Sequence, residues 1–95
     1  MTWYKKYLSV YEKTLQEVPQ EIIHEVKTKI SKIQNDSPLV SVVVIAYNEE
    51  KHLLANLWSL SDSTCKYPIE IIGVDNDSSD RTAEIFKMTG VPYYT

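Results

Sequence analysis

Apolar positions along the chain follow two different rhythms, and the change falls near Ser37-Pro38. Before it, Tyr4, Leu8, Tyr11, Leu15 and Val18 recur at spacings of four and three, which predicts one face of an amphipathic helix over Trp3 to Val18. Pro19 breaks that pattern and suits the first turn of a second helix. There Ile22, Val26, Ile30 and Ile33 form a stripe with Ile23 beside it, and Lys27, Lys29 and Lys32 sit where they complement the helix dipole. Asn35-Asp36-Ser37-Pro38 is a stop-and-turn cluster. Residues 1–37 therefore read as a helical extension, consistent with a helical hairpin, and residues 38–95 as a separate α/β unit.

The second rhythm opens with Leu39-Val40-Ser41-Val42-Val43-Val44-Ile45-Ala46, a β-branched run expected to be a strand buried on both faces, as in parallel sheets. Asn48 suits an N-cap, with Glu49 and Glu50 in the first helical turn. Leu53, Leu57 and Leu60, with Leu54 and Trp58 alongside, continue that helix until Ser61-Asp62-Ser63-Thr64 ends it. Ile69 to Val74 predicts a second strand, Asp75 to Asp80 a polar loop, and Asp80 to Met88 a helix with Gly90 just past its end. Val91 to Tyr94 suits a third strand. The order β-α-β-α-β, with parallel strands after two amphipathic helices, is a partial Rossmann-like α/β fold. Ligands of open parallel sheets bind at the carboxyl ends of the strands. Those ends are Tyr47-Asn48-Glu49 and Asp75-Asn76-Asp77, so two polar clusters far apart in sequence are expected to share one crevice.

Composition narrows the function. The 95 residues hold 10 basic and 13 acidic side chains, 10 − 13 = −3, which gives no overall reason to bind nucleic acid. The single cysteine, Cys65, makes neither an intramolecular disulfide nor a multi-cysteine metal site, and a cytoplasmic location is the expectation. The longest apolar run, Leu39 to Tyr47, falls short of the ~20 residues of a membrane span. The N-terminal Tyr, Trp and Lys residues leave a peripheral membrane contact open; packing on the sheet or on a partner chain is the simpler account. Gly73 and Gly90 are the only glycines, so no G-x-G-x-x-G or Walker loop cradles a phosphate.

The two turns, in order and at strand ends, resemble the N-terminal part of a family 2 glycosyltransferase of GT-A fold. The matching stretches are Ser41-Val42-Val43-Val44-Ile45-Ala46-Tyr47-Asn48-Glu49-Glu50 and Val74-Asp75-Asn76-Asp77-Ser78-Ser79-Asp80-Arg81-Thr82. Two positions depart from the family pattern: Ile45 stands where proline is common, and Asp77 where glycine is usual. The resemblance implies that Tyr47, Asn48, Glu49, Asp75, Asn76 and Asp77 bind the nucleoside of a nucleotide-sugar donor, UDP- or GDP-linked. Tyr47 would flank the base, Asn76 would pair with its edge, Glu49 would reach the ribose, and Asp75 would support the loop. It also implies Mg²⁺ or Mn²⁺ on the donor diphosphate in a longer parent, with inversion at the transferred sugar. Asp75-Asn76-Asp77 is not read as that metal motif, which in the family follows a later strand. No residue here is assigned as catalytic base, and the chain is not expected to transfer sugar alone.

Plainer roles accompany these. Ser78, Ser79 and Asp80 are capping residues for the next helix, His24 and His52 solvent-facing, Cys65 a loop residue, and Trp58 a packing residue. An incompletely covered sheet suggests a homo-oligomer. A rival function is a non-catalytic interaction module assembling through the stripe at Ile22, Val26, Ile30 and Ile33.

Overall fold

The computed structural model describes residues 5–62 and 67–95. In chain order it holds α1 (Lys5–Leu8), a 3-10 turn (Leu15–Glu17), α2 (Gln20–Ile33), β1 (Val40–Ala46), α3 (Leu53–Ser61), β2 (Ile69–Asp75), α4 (Thr82–Thr89) and β3 (Tyr93–Tyr94). The strands form one parallel sheet in the order β1-β2-β3. The expected β-α-β-α-β unit is present. Trp3, Tyr4, Ser63, Thr64 and Cys65 lie outside the described residues.

Register decides which side chains meet the helices. Val40 pairs with Ile69, and the pairing runs in step to Ala46 with Asp75. Side chains alternate across a strand, so Ile69, Ile71, Gly73 and Asp75 share a face with Val42, Val44 and Ala46. The core forms on that face from Ile23, Val26 and Ile30 of α2, Leu53, Leu57 and Trp58 of α3, and Ile85 and Phe86 of α4. Burying each such side chain contributes about 1.5–3 kcal/mol. The other face carries Val43, Ile45, Ile72 and Val74, and Ile45 is 72% exposed. β1 is therefore not buried on both faces as its composition suggests. Helices cover one face only, and β1 runs along an edge.

The first expected helix is also corrected. One turn survives as α1; Leu15 to Glu17 form the 3-10 turn, the residues between are not helical, and among the described residues no hairpin of two long helices forms. Glu12 has a left-handed backbone (φ 61°), and its N–H donates to the Lys51 carbonyl at 2.8 Å. A tertiary bond has replaced the helical one. Thr14 and Glu17 then form a capping box that starts the 3-10 turn. Val10, Leu15 and Val18 are buried, whereas Leu8 and Tyr11 from the expected stripe are exposed. The α2 stripe holds: Ile23, Val26 and Ile30 are buried, with Ile22 and Ile33 packed at the margin.

After α2, the Gln34 side chain acts as a short piece of strand. Its Nε2 donates to the Ile71 carbonyl at 3.0 Å, and its Oε1 accepts the Ile71 N–H at 2.7 Å. Asn35 N–H donates to the Ile69 carbonyl at 3.0 Å. These bonds pair the part of β2 that β3 does not reach, and they meet the rule that buried backbone groups be satisfied.

Asp62, past the end of α3, ties three helices together. It accepts from the Tyr7 hydroxyl at 2.6 Å and from Lys29 Nζ at 2.5 Å, and it pairs with Lys6 at 2.7 Å. Burial pushes its carboxyl up, but the bonds from Lys29, Lys6 and Tyr7 outweigh burial and hold it down at about 2. Burial, then the bond to Asp62, pushes the Tyr7 phenol up to about 12.

A depressed folded-state pKa means that the stabilisation is present above the ordinary 3.8 and is lost as pH falls through about 2. Asp62→Asn is expected to cost on the order of 1–2 kcal/mol near neutrality and to flatten the acid limb of stability against pH. Urea melts at stepped pH measure this, and an unchanged acid limb refutes it. A Cβ added at Gly73 would lie 2.6 Å from the Phe86 ring, which is fully buried and stacked on Tyr93. Gly73→Ala should therefore destabilise the chain by about 1–3 kcal/mol through overpacking, read as a lowered urea midpoint.

Candidate functional site

The two polar turns leave the sheet at the same level, because Ala46 and Asp75 are register partners at the last rung. The Asn76 N–H adds one more bond, to the Ala46 carbonyl at 2.8 Å. Beyond that point the turns are laced together by side chains. Asn48 N–H donates to Ser78 Oγ at 2.9 Å, and Ser79 N–H donates to Asn48 Oδ1 at 2.8 Å. Glu49 N–H donates to Thr82 Oγ1 at 2.9 Å, and Glu50 N–H to Asp80 Oδ2 at 3.2 Å. Each N–H of the first turn from Asn48 to Glu50 thus finds an acceptor on the second turn or at the start of α4.

This lacing corrects two expectations. Asn48 does not cap a helix: α3 starts at Leu53, and Glu49 and Glu50 belong to a preceding turn closed by His52 and Leu53 N–H bonds to the Glu49 carbonyl. Asn48 itself is left-handed (φ 49°), which Asn tolerates better than most residues, and its side-chain oxygen is committed to Ser79. Ser78 and Ser79 join the turns and do not cap α4. Asp80 does serve the start of α4, since Thr82 N–H donates to its Oδ1 at 2.9 Å and the Thr82 hydroxyl bonds the same oxygen. Burial raises the Asp80 carboxyl, but the Thr82 hydroxyl, the Thr82 N–H and the Glu50 N–H together hold it below the usual carboxylate range.

The six candidate residues divide by access. Asp75 is 4% exposed, and its Oδ1 accepts the Ser78 N–H at 3.1 Å, which gives it a loop-supporting position. Asp77 is exposed and left-handed (φ 58°), so aspartate here adopts the backbone region that glycine favours. Tyr47 is 57% exposed at the rim, Asn76 and Asn48 are exposed, and Glu49 is half-buried. The Asp75 carboxylate is buried and bonded to the Ser78 amide, and no group of three His, Cys, Asp or Glu side chains gathers among the described residues.

His52 departs furthest from its expectation. Its ring is 31% exposed, with Nε2 at 2.6 Å from Glu12 and Nδ1 at 3.1 Å from Glu49, and it stacks on Tyr11 at 4.6 Å. No periodic signal pairs residues forty positions apart, so Glu12 was not legible as a neighbour of the rim, although His52 lies three residues after Glu49. His24 is exposed, as expected. Trp58 is buried, with its indole N–H donating to Glu25 at 2.9 Å. A groove of about 340 Å³ lined by Gln34, Asn35, Asp36, Glu70, Gly90 and Pro92 lies at the amino end of β2, away from the rim. Ligands of such sheets bind at the other end, so the rim is the candidate.

Residues 41–91, more than half of the chain, match the family described as glycosyl transferase family 2. The chain belongs to glycosyl transferase family 2. Both laced turns fall inside the matched span. Over 55 residues the chain is 46% identical to a 4,4'-diaponeurosporenoate glycosyltransferase of Staphylococcus haemolyticus (strain JCSC1435). That alignment covers 58% of this chain and 14% of the relative, so the family 2 chain spans a small part of the length of the relative it matches. No solved structure matches it. No helix among its described residues is long and apolar enough to cross a membrane.

Lacing can be tested at Asn48. Asn48→Gly keeps the left-handed backbone accessible and removes one bond, at about 0.5–1.5 kcal/mol; Asn48→Ala adds about 1 kcal/mol of backbone strain. Urea midpoints should fall in the order wild type, Asn48→Gly, Asn48→Ala. Equal midpoints for all three would show that the clamp contributes nothing.

Proposed function

We propose that the rim built from Tyr47 to Glu50 and from Asp75 to Ser78 binds the nucleoside end of a nucleotide-sugar donor. The observation that carries this is the lacing of the two turns. It satisfies the N–H groups of Asn48, Glu49 and Glu50 internally and leaves Tyr47 and Asn76 exposed at one sheet end. In this reading Tyr47 offers its face to the base. Asn76 offers a donor and an acceptor to the base edge, and Glu49 accepts from ribose hydroxyls. Asn48, Asp75 and Asp77 shape the turns that hold these three. A rim this rich in carboxylates disfavours a diphosphate lying directly on it, so the base and ribose occupy it and the diphosphate points away.

Family membership and the glycosyltransferase named among its relatives support glycosyl transfer as the activity of a longer protein containing this unit. In that reaction an acceptor hydroxyl attacks the anomeric carbon. The bond from that carbon to the donor phosphate breaks, nucleoside diphosphate leaves, and the hydroxyl proton passes to a base. A single displacement inverts the anomeric centre. No residue of the rim is assigned as that base; its contribution is to bind and orient the donor.

The rival reading, assembly through the α2 stripe, has only Ile22 and Ile33 of that stripe still partly exposed to a partner. Val26 and Ile30 are buried within the chain's own core and offer nothing to a partner.

The test is titration of the ¹⁵N-labelled chain with UDP, GDP and their sugars. Shift changes at Tyr47 and Asn76 are expected, and Asn76→Ala should weaken binding about five- to hundredfold, the loss of a paired donor and acceptor. If no nucleotide perturbs either residue, the donor-binding reading is wrong.

A further inference from the structure

The segment before α2 lies outside the family-matched span, yet it reaches the rim. Glu12 N–H holds the Lys51 carbonyl at 2.8 Å, and Leu15 N–H donates to Glu50 Oε2 at 3.0 Å. Between these backbone ties sits the His52 ring, with Glu12 on one nitrogen, Glu49 on the other and Tyr11 across its face. We propose that His52, clamped by Glu12 and Tyr11, is a positioning residue for the donor-site carboxylate of Glu49, which makes the Tyr11–Leu15 segment an outer wall of that site. The proposal rests on the donor-binding reading above.

A neutral imidazole has one N–H and one lone pair, so it donates to a single carboxylate and turns a lone pair towards the other. Only the imidazolium donates to both. Glu12 at 2.6 Å and Glu49 at 3.1 Å therefore select the charged ring. Ring orientation is set three ways: each nitrogen is tied to a carboxylate, and the plane is set by Tyr11 at an interplanar angle of 26°. With Oε2 of Glu49 held, Oε1 is left in a fixed place to accept from a ribose diol. The imidazolium also offsets part of the negative charge of Glu12, Glu49 and Glu50 that a donor diphosphate would otherwise meet.

The sign of the pH dependence follows. The bond to Glu12, then that to Glu49, raises the His52 pKa above its ordinary 6.5. A raised folded-state pKa means that the clamp is complete below about 6.5 and is lost as pH rises through the folded value. The groups facing the ring are Glu12 and Tyr11 from the N-terminal segment and Glu49 from its own turn. Donor affinity should therefore fall on the alkaline side with the titration of His52.

The experiment uses the 95-residue chain, UDP and GDP as probes, and NMR from about pH 6 to about pH 9, the range over which a histidine with a raised pKa changes charge. In the wild type, the dissociation constant and the His52 imidazole shifts should share one midpoint, a readout that needs no variant. Glu12→Gln should lower that midpoint and weaken binding about two- to fivefold at neutral pH, with Glu12→Asp restoring part of the loss. Glu12 is largely exposed, so a folded variant is expected, and its amide spectrum checks this. If nucleotide binds but neither pH nor Glu12→Gln changes its affinity, the positioning role is overturned while the donor site stands. If neither nucleotide binds the wild type at any pH, the donor reading falls and the positioning role with it.

Discussion

Everything at the rim follows from one rung of the sheet. Ala46 and Asp75 pair side by side where their strands end, so the two turns depart together and can be stitched to each other. Parallel pairing without a bulge carries this registration up from Val40 and Ile69. Side-chain period in a strand is two, so a one-residue slip would exchange buried Asp75 for Val74 and turn every inward side chain outward. The helices on the covered face make such a slip costly, since Ile71 and Ala46 would leave the core. Core packing and rim geometry are therefore the same constraint seen from two ends of the strands.

Stitching replaces rigidity that the turn sequences do not supply. Ile45 and Asp77 stand where the resembling family favours proline and glycine. Two non-glycine residues, Asn48 and Asp77, are left-handed. Such backbones persist when surrounding bonds over-determine them. Here Ser78, Ser79, Asp80 and Thr82 supply those bonds. A third left-handed residue, Glu12, lies in the N-terminal segment and bonds the Lys51 carbonyl. Non-glycine strain thus concentrates where loops meet.

Much of the fold was legible in the chain. The β-branched runs at Leu39–Ala46 and Ile69–Val74 become strands, the stripe at Ile22, Val26, Ile30 and Ile33, with Ile23 beside it, faces the core, and Gly90 with its left-handed φ ends α4. Failures have a common cause, which is long-range contact overriding local preference. Trp3 to Val18 has helical spacing, but Glu12 gives up helical geometry for Lys51. Asn48 is a good cap in isolation, but Ser79 takes its side-chain oxygen. β1 reads as doubly buried, but composition does not say how many layers surround a strand. At the rim, the meeting of the Tyr47 and Asp75 turns could be inferred from topology. The N-terminal half of the His52 clamp could not, because Glu12 and Tyr11 lie about forty positions away in sequence.

Gln34 has an architectural effect. By standing in for a strand beside Ile71, its amide occupies the flank of β2 below the rungs at Gly73 and Val74 that pair with β3. The outer side of β1, seven residues long, is left as the extended unpaired ladder among the described residues. One side chain therefore sets how far down β2 a neighbouring strand can begin to pair.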